Sequence, residues 1–181
     1  MINMTKELPN VEVSAKTPLK DILDLTGNCQ RCSHCCKYSS GYLVEDDAKK
    51  IAKFLGVREK KLKKQFLEEG EKFNTKLMRP KLIKKDKDKP YGECVFHDEK
   101  QGCTIQEVKP LHCKVGNCDK HGEAIHLWFT LNYFVNKNDP ESVRQWATYL
   151  KTHPTIPGGR LEELVPDKKL LNKILNYEIL K

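Results

Sequence analysis

The stretch Gly27-Asn28-Cys29-Gln30-Arg31-Cys32-Ser33-His34-Cys35-Cys36 decides how the rest of the chain is to be understood. Two residues between cysteines let one turn bring both sulfurs toward a common centre. Repeating that step at Cys29, Cys32 and Cys35 delivers three thiolates from a single loop. Structural zinc sites draw their Cys-x2-Cys pairs from two separate knuckles, whereas three consecutive ligands at this spacing are the habit of iron–sulfur loops, where a cluster offers several iron corners to one run of backbone. The spacing therefore leans toward iron. Cys36 follows Cys35 directly. Neighbouring side chains on extended backbone diverge, so this pair is expected to serve two different metal centres.

Outward from the loop, the pattern is mostly helical. Residues 1–24 form an arm with Pro9 and Pro18, ending in a short turn of helix around Leu19, Ile22 and Leu23. On the other side, Val44, Ala48, Ile51, Ala52 and Leu55 recur at helical spacing, with Glu45, Asp46 and Asp47 in the first turn and Gly56 just past the end. Residues 58–69 predict a second, more basic helix with Leu62, Phe66 and Leu67 as its apolar stripe. Leu77, Leu82 and Ile83 predict short strands near Pro80, and residues 84–90 an exposed charged loop. Cys94, Cys103, Cys113 and Cys118 share a segment with Gly92, Gly102, Pro110 and Gly116, where turns dominate. Residues 124–135 are apolar on every side, as in a buried helix, with a strand as the alternative. Asp139-Pro140-Glu141 is a helix start whose core face is Val143, Trp146, Ala147 and Leu150, and a last helix beginning near Asp167 presents Leu171, Ile174 and Leu175.

The expected fold is thus a metal-stapled single domain, mainly α with irregular cysteine-rich metal-binding loops, a small α+β arrangement being the alternative. Its expected parts are the arm (1–24), a cysteine-cluster metal-binding domain (25–122) and a C-terminal helical segment (123–181) packing on it. Trp128, Phe129, Tyr133 and Phe134 are expected to form an apolar cover over the metal loops.

Composition narrows the chemistry. The chain has 181 residues, eight cysteines and a formal net charge of +8; 32% of residues are charged and 38% hydrophobic. That is wetter than an average globular chain but too apolar for wholesale disorder. No apolar run approaches the roughly 18–20 residues of a transmembrane helix, and the first twenty residues lack a secretory core, so a cytoplasmic protein without membrane contact is expected. In a reducing compartment, metal ligation is a better use of eight cysteines than disulfides. A lone cysteine is most simply a small buried hydrophobe. Eight in two Gly/Pro-rich loop clusters that have no other evident means of being held are better explained as ligands, enough for two four-cysteine sites. Metal ligands are thiolates, so eight of them with two centres of roughly +2 each reduce the formal +8 to about +4.

Cys29 to Cys36, Glu93-Cys94-Val95-Phe96, Gly102-Cys103-Thr104-Ile105 and Lys109-Pro110-Leu111-His112-Cys113 together resemble the CxxCxxCC cysteine-cluster family of zinc- or iron-chelating domains, over roughly residues 25–118. By position, the resemblance implies Cys29, Cys32, Cys35, Cys36, Cys94, Cys103 and Cys113 as ligands, and the helix after the first cluster also corresponds. Lys109 stands where the family usually has arginine, which keeps a cation but loses the planar fork. Cys118 is an addition beyond the usual ending. The resemblance implies metal binding without fixing a reaction, since some relatives resemble or accompany protein-modifying methyltransferases.

Six histidines, His34, His97, His112, His121, His126 and His153, are further candidate donors, although each alone is more often a hydrogen-bonding or surface residue. No phosphate loop, nucleophile elbow or zinc-protease helix is present. Lys60, Lys61, Lys63 and Lys64, with Lys81, Lys84, Lys85, Lys87 and Lys89, are best explained as a solvated helix face and loop, with nucleic-acid phosphates as the alternative partner. The leading expectation is an iron–sulfur protein with one or two 4Fe-4S clusters, an oxidoreductase or a component of a modification enzyme serving a protein or small-molecule redox partner. A zinc-stapled RNA-binding module is the runner-up, and metal storage or delivery the third.

Overall fold

Local side-chain caps start the helices at Pro140 and Lys168 in the computed structural model, which describes residues 11–27, 29–84, 88–116 and 118–180. In chain order the elements are helices α1 (Leu19–Leu25), α2 (His34–Tyr38), α3 (Asp47–Phe54) and α4 (Glu59–Phe66); strands β1 (Leu67–Lys72), β2 (Thr75–Pro80), β3 (Leu82–Ile83), β4 (Glu93–Cys94), β5 (His97–Asp98) and β6 (Gly102–Cys103); a 3-10 turn at Gln106–Val108; and helices α5 (Leu111–Val115), α6 (Gly122–Tyr133), α7 (Pro140–Leu150), α8 (Leu161–Leu164) and α9 (Lys168–Leu175). The strands pair as three separate two-stranded ribbons, β1-β2, β3-β4 and β5-β6. The fold is mainly α with small β ribbons. The first ten residues of the expected arm, and Lys85 and Lys87 of the basic run, lie outside the described residues. Among the described residues no helix is long and apolar enough to cross a membrane.

Two helices differ from their sequence expectation, each for a visible reason. The α3 helix begins at Asp47 because Glu45 takes a left-handed conformation (φ 49°), and the Asp47 N–H closes a turn onto the Val44 carbonyl at 3.0 Å. It ends as the sequence predicts. Gly56 adopts φ 64°, its N–H reaches the Lys53 carbonyl at 3.2 Å, and the Val57 N–H reaches Ala52 at 3.0 Å, a Schellman termination. The α4 helix stops at Phe66, short of the expected residue 69, because Leu67 onward pairs with β2. Glu68 meets Arg79 at 2.9 Å and Glu69 meets Lys76 at 3.1 Å across that ribbon.

The chain divides into two compact units, each with its own core. One comprises residues 1–27, 71–75 and 115–181. Its helices bury Ile125, Phe129 and Phe134 from α6 and its end, and a second cluster of Val143, Val165, Leu171 and Ile174 joins α7, α8 and α9. The other comprises residues 28–70 and 76–114, around Leu43, Ile51, Ala52, Leu62, Leu67, Phe96 and Ile105. Phe66 stacks on Phe96 with ring centroids 5.6 Å apart. The residues after two of the cysteines thereby become anchors of this second core.

Candidate metal centre

Seven cysteines, Cys29, Cys32, Cys35, Cys36, Cys94, Cys103 and Cys113, belong to the unit of residues 28–70 and 76–114, while Cys118 belongs to the other. All eight are free thiols. The first loop is turned by Arg31 and Ser33, both left-handed (φ 53° and 61°), on either side of Cys32. Cys35 and Cys36 lie in α2 rather than on extended backbone, and the Cys36 S–H donates to the Cys35 sulfur. The extended backbone expected for this pair is therefore corrected to a short helix.

Elements distant in sequence carry the other three thiols, and one of these elements lies beside this helix. The Gly92 N–H reaches the carbonyl of Tyr38, the last residue of α2, at 3.3 Å, which fixes the helix next to β4 and Cys94. Cys94 stands opposite Leu82 in the β3-β4 ribbon, and Cys103 opposite His97 in β5-β6. Cys113 sits on α5 against Gly41, where a Cβ would run into the Cys113 sulfur. The start of α5 is held by Asp47, whose buried Oδ2 accepts the N–H groups of Val44 and Leu111, each at 3.0 Å. Nothing in the spacing of the sequence pointed to this carboxylate.

The thiols interact electrically as one group. Burial pushes Cys94 up to about 11, and neighbouring Cys103 and Cys35 add to the shift. Burial likewise pushes Cys113 up to about 12, with Cys94 and Cys103 contributing. Cys103 is raised by burial and by Cys29. Cys36 is raised, first by donating to Cys35 and then by burial, while Cys35 is lowered to about 6, chiefly by receiving that hydrogen bond. Backbone donors are already aimed at three sulfurs: Phe96 N–H at Cys94, Ile105 N–H at Cys103 and Gly41 N–H at Cys113. Each favours the thiolate, the form that binds metal. Lys109 favours it at Cys103 and Cys113, and Arg31 at Cys103.

The histidines divide sharply. His112 Nδ1 accepts the Tyr42 N–H at 3.1 Å, which places the ring proton on Nε2 and makes this a structural residue. His34 is exposed and packs on Tyr38, ring centroids 5.3 Å apart. His121, His126 and His153 belong to the other unit. His97 is different: its side chain is 0% exposed, Nδ1 lies 2.6 Å from Glu93 Oε1, and Nε2 is buried with no partner. The Glu93/His97 spacing around Cys94 was visible in the sequence, but the burial that makes it informative was not.

Among the described residues, no three Cys, His, Asp or Glu side chains converge closely enough to grip an ion. The donor chemistry nonetheless fits a soft or borderline metal: thiols within electrostatic reach of one another, backbone N–H groups directed at sulfur, and a buried imidazole nitrogen lacking a partner. The lysines offer nothing comparable. Lys60, Lys61, Lys63 and Lys64 are solvated on α4, and Lys81 Nζ donates to the Lys64 carbonyl at 2.9 Å.

The family model described as "CxxCxxCC: Putative zinc- or iron-chelating domain" matches residues 28–128, more than half of the chain. No curated protein and no solved structure matches it.

Proposed function

Since the chain belongs to the CxxCxxCC family of zinc- or iron-chelating domains, we propose that its clustered thiols carry an iron–sulfur centre with a redox or substrate-modifying role. The observation that carries this reading is the mutual electrostatic influence of Cys29, Cys35, Cys36, Cys94, Cys103 and Cys113, drawn from a loop, two helices and two ribbons. A structural zinc and a four-iron cluster each take four thiolates, so it is the spacing of Cys29, Cys32 and Cys35, three consecutive candidate ligands from one loop, that favours iron. Cys118 has no thiol companion within its own unit and is left out of the proposed ligand set.

Bound there, a four-iron cluster would supply one-electron transfer. The chain's own residues shape that chemistry. Lys109 and Arg31 place positive charge near Cys103, which offsets the thiolates and favours the more negative, reduced state. The Phe96, Ile105 and Gly41 N–H groups stabilise thiolate charge in the same sense. Cys29, Cys32 and Cys35 are exposed, whereas Cys36, Cys94, Cys103 and Cys113 are more enclosed. The first loop is therefore the edge that a protein or small-molecule redox partner would meet.

Anaerobic purification with iron, zinc and acid-labile sulfide analysis and a visible spectrum tests this. The expected result is a brown protein containing iron and sulfide in near-equal amounts. A colourless protein holding only stoichiometric zinc overturns it in favour of a structural zinc module.

A further inference from the structure

His97 stands out because its surroundings supply everything except a partner for one nitrogen. In the β5-β6 ribbon the Thr104 N–H bonds to the Phe96 carbonyl at 2.9 Å, which makes Phe96 and Thr104 the hydrogen-bonded pair. The next pair, His97 and Cys103, is then of the non-hydrogen-bonded kind. In such pairs the Cα atoms approach to roughly 4.5 Å and the two side chains stand on the same face at their closest. The His97 imidazole is thus the cross-strand neighbour of a thiol in the cluster.

Its hydrogen bonding orients the ring. Glu93 Oε1 lies 2.6 Å from Nδ1, so in the neutral imidazole, the form that ligates metal, the proton sits on Nδ1 and faces the carboxylate. That leaves a lone pair on Nε2, in a side chain with 0% exposure and with no donor to meet it. A buried polar atom left this way carries a desolvation penalty that no hydrogen bond offsets. A metal ion on Nε2 removes the penalty, and a carboxylate on the opposite nitrogen is the arrangement that orients and strengthens a histidine ligand.

The geometry points to His97 as a nitrogen ligand, through Nε2, of the metal centre that Cys103 serves, with Glu93 as its positioning residue. This assignment rests on the metal-centre reading above and adds a mixed nitrogen and sulfur donor set to it. Replacing a thiolate by neutral imidazole removes a negative charge from the centre, so its potential lies above that of an all-thiolate equivalent.

The test uses the full chain, loaded anaerobically, with 15N-labelled histidine. Pulsed electron paramagnetic resonance of the reduced centre is expected to show a directly coordinated histidine nitrogen. His34→Ala and His112→Ala retain that coupling; His97→Ala loses it, and His97→Cys replaces it with an all-sulfur signature and a lowered potential. Glu93→Gln keeps the nitrogen bound and shifts its coupling. The labelled wild-type spectrum stands by itself if a His97 variant fails to fold. If the centre forms but no histidine nitrogen is coupled, or if the coupling survives His97→Ala, the ligand assignment is wrong and the metal-centre reading stands. A chain that takes up neither iron nor zinc overturns that reading instead. For zinc-loaded chain, Co2+ substitution provides the corresponding test: a His97→Cys spectrum with unchanged sulfur-to-metal charge transfer overturns the assignment.

Discussion

Gly41 leaves the space that Cys113 occupies, and its N–H is directed at the Cys113 sulfur. Gly41→Ala is expected to destabilise the chain by roughly 1–3 kcal/mol through overpacking and to lower metal occupancy, as read by thermal melting and metal analysis of the same preparation. The thiols themselves predict an order of reactivity. In metal-free chain near pH 7, Cys35 at about 6 is largely thiolate and exposed, whereas Cys94 at about 11 and Cys113 at about 12 are protonated. Timed alkylation with peptide mapping is expected to mark Cys35 early and Cys113 late; the reverse order contradicts the arrangement. The same shifts set the pH dependence. Cys94 and Cys113 hold their protons more tightly folded than unfolded, where a thiol titrates near about 8.5. Their contribution to metal-free stability is complete below about pH 8.5 and is lost as pH rises through about 11 and about 12. Metal entry near neutral pH must expel both protons, so calorimetry in buffers of different ionisation heat is expected to show at least two released per loaded chain.

At the scale of elements, short-range signals and long-range ties are clearly separable. Asp139 caps α7 as the sequence predicts, accepting the Glu141 and Ser142 N–H groups at 2.9 and 3.4 Å ahead of Pro140 at the first helical position. Asp139→Ala is expected to cost about 1 kcal/mol, seen as a lower melting temperature without loss of metal. Asp47 makes a different kind of bond. It ties the start of α3 to the start of α5, sixty-four residues later, and so positions Cys113. Asp47→Ala leaves two buried N–H groups without an acceptor and is expected to cost roughly 2–3 kcal/mol, together with weaker metal binding. The boundary between α4 and β1 illustrates why such ties escape a sequence reading. Leu67 continues the apolar stripe of α4, yet pairing with β2 takes it into a ribbon, because strand partners are chosen by tertiary contacts rather than by local periodicity.

For the molecule as a whole, two cores imply two responses to metal removal. The helices α6, α7 and α9 are closed by large apolar side chains, Trp146, Phe129 and Phe134 among them, which are fully buried without metal. The cysteine unit depends on three short ribbons and a loop of eight residues between Cys29 and Cys36. Treatment of loaded chain with a chelator is expected to raise amide hydrogen exchange across residues 29–43 and 92–114 while leaving α6 and α7 protected. Uniform exchange throughout the chain would show instead that metal staples the entire molecule.

The sequence by itself determined the donor chemistry, the end of α3, the start of α7 and the family. These are encoded in residue type and in spacing of a few positions: the Cys-x2-Cys steps, Gly56 past α3, and Asp139-Pro140 ahead of α7. Only the tertiary structure decided which thiols lie within electrostatic reach of one another, that Cys35 and Cys36 share a hydrogen bond, and that His97 keeps a buried nitrogen without a partner while His112 spends one on the backbone. The physical reason is that burial and hydrogen-bond partners are supplied by residues far along the chain. A histidine or cysteine has the same composition everywhere, but its charge state and free lone pairs depend on what the fold brings against it.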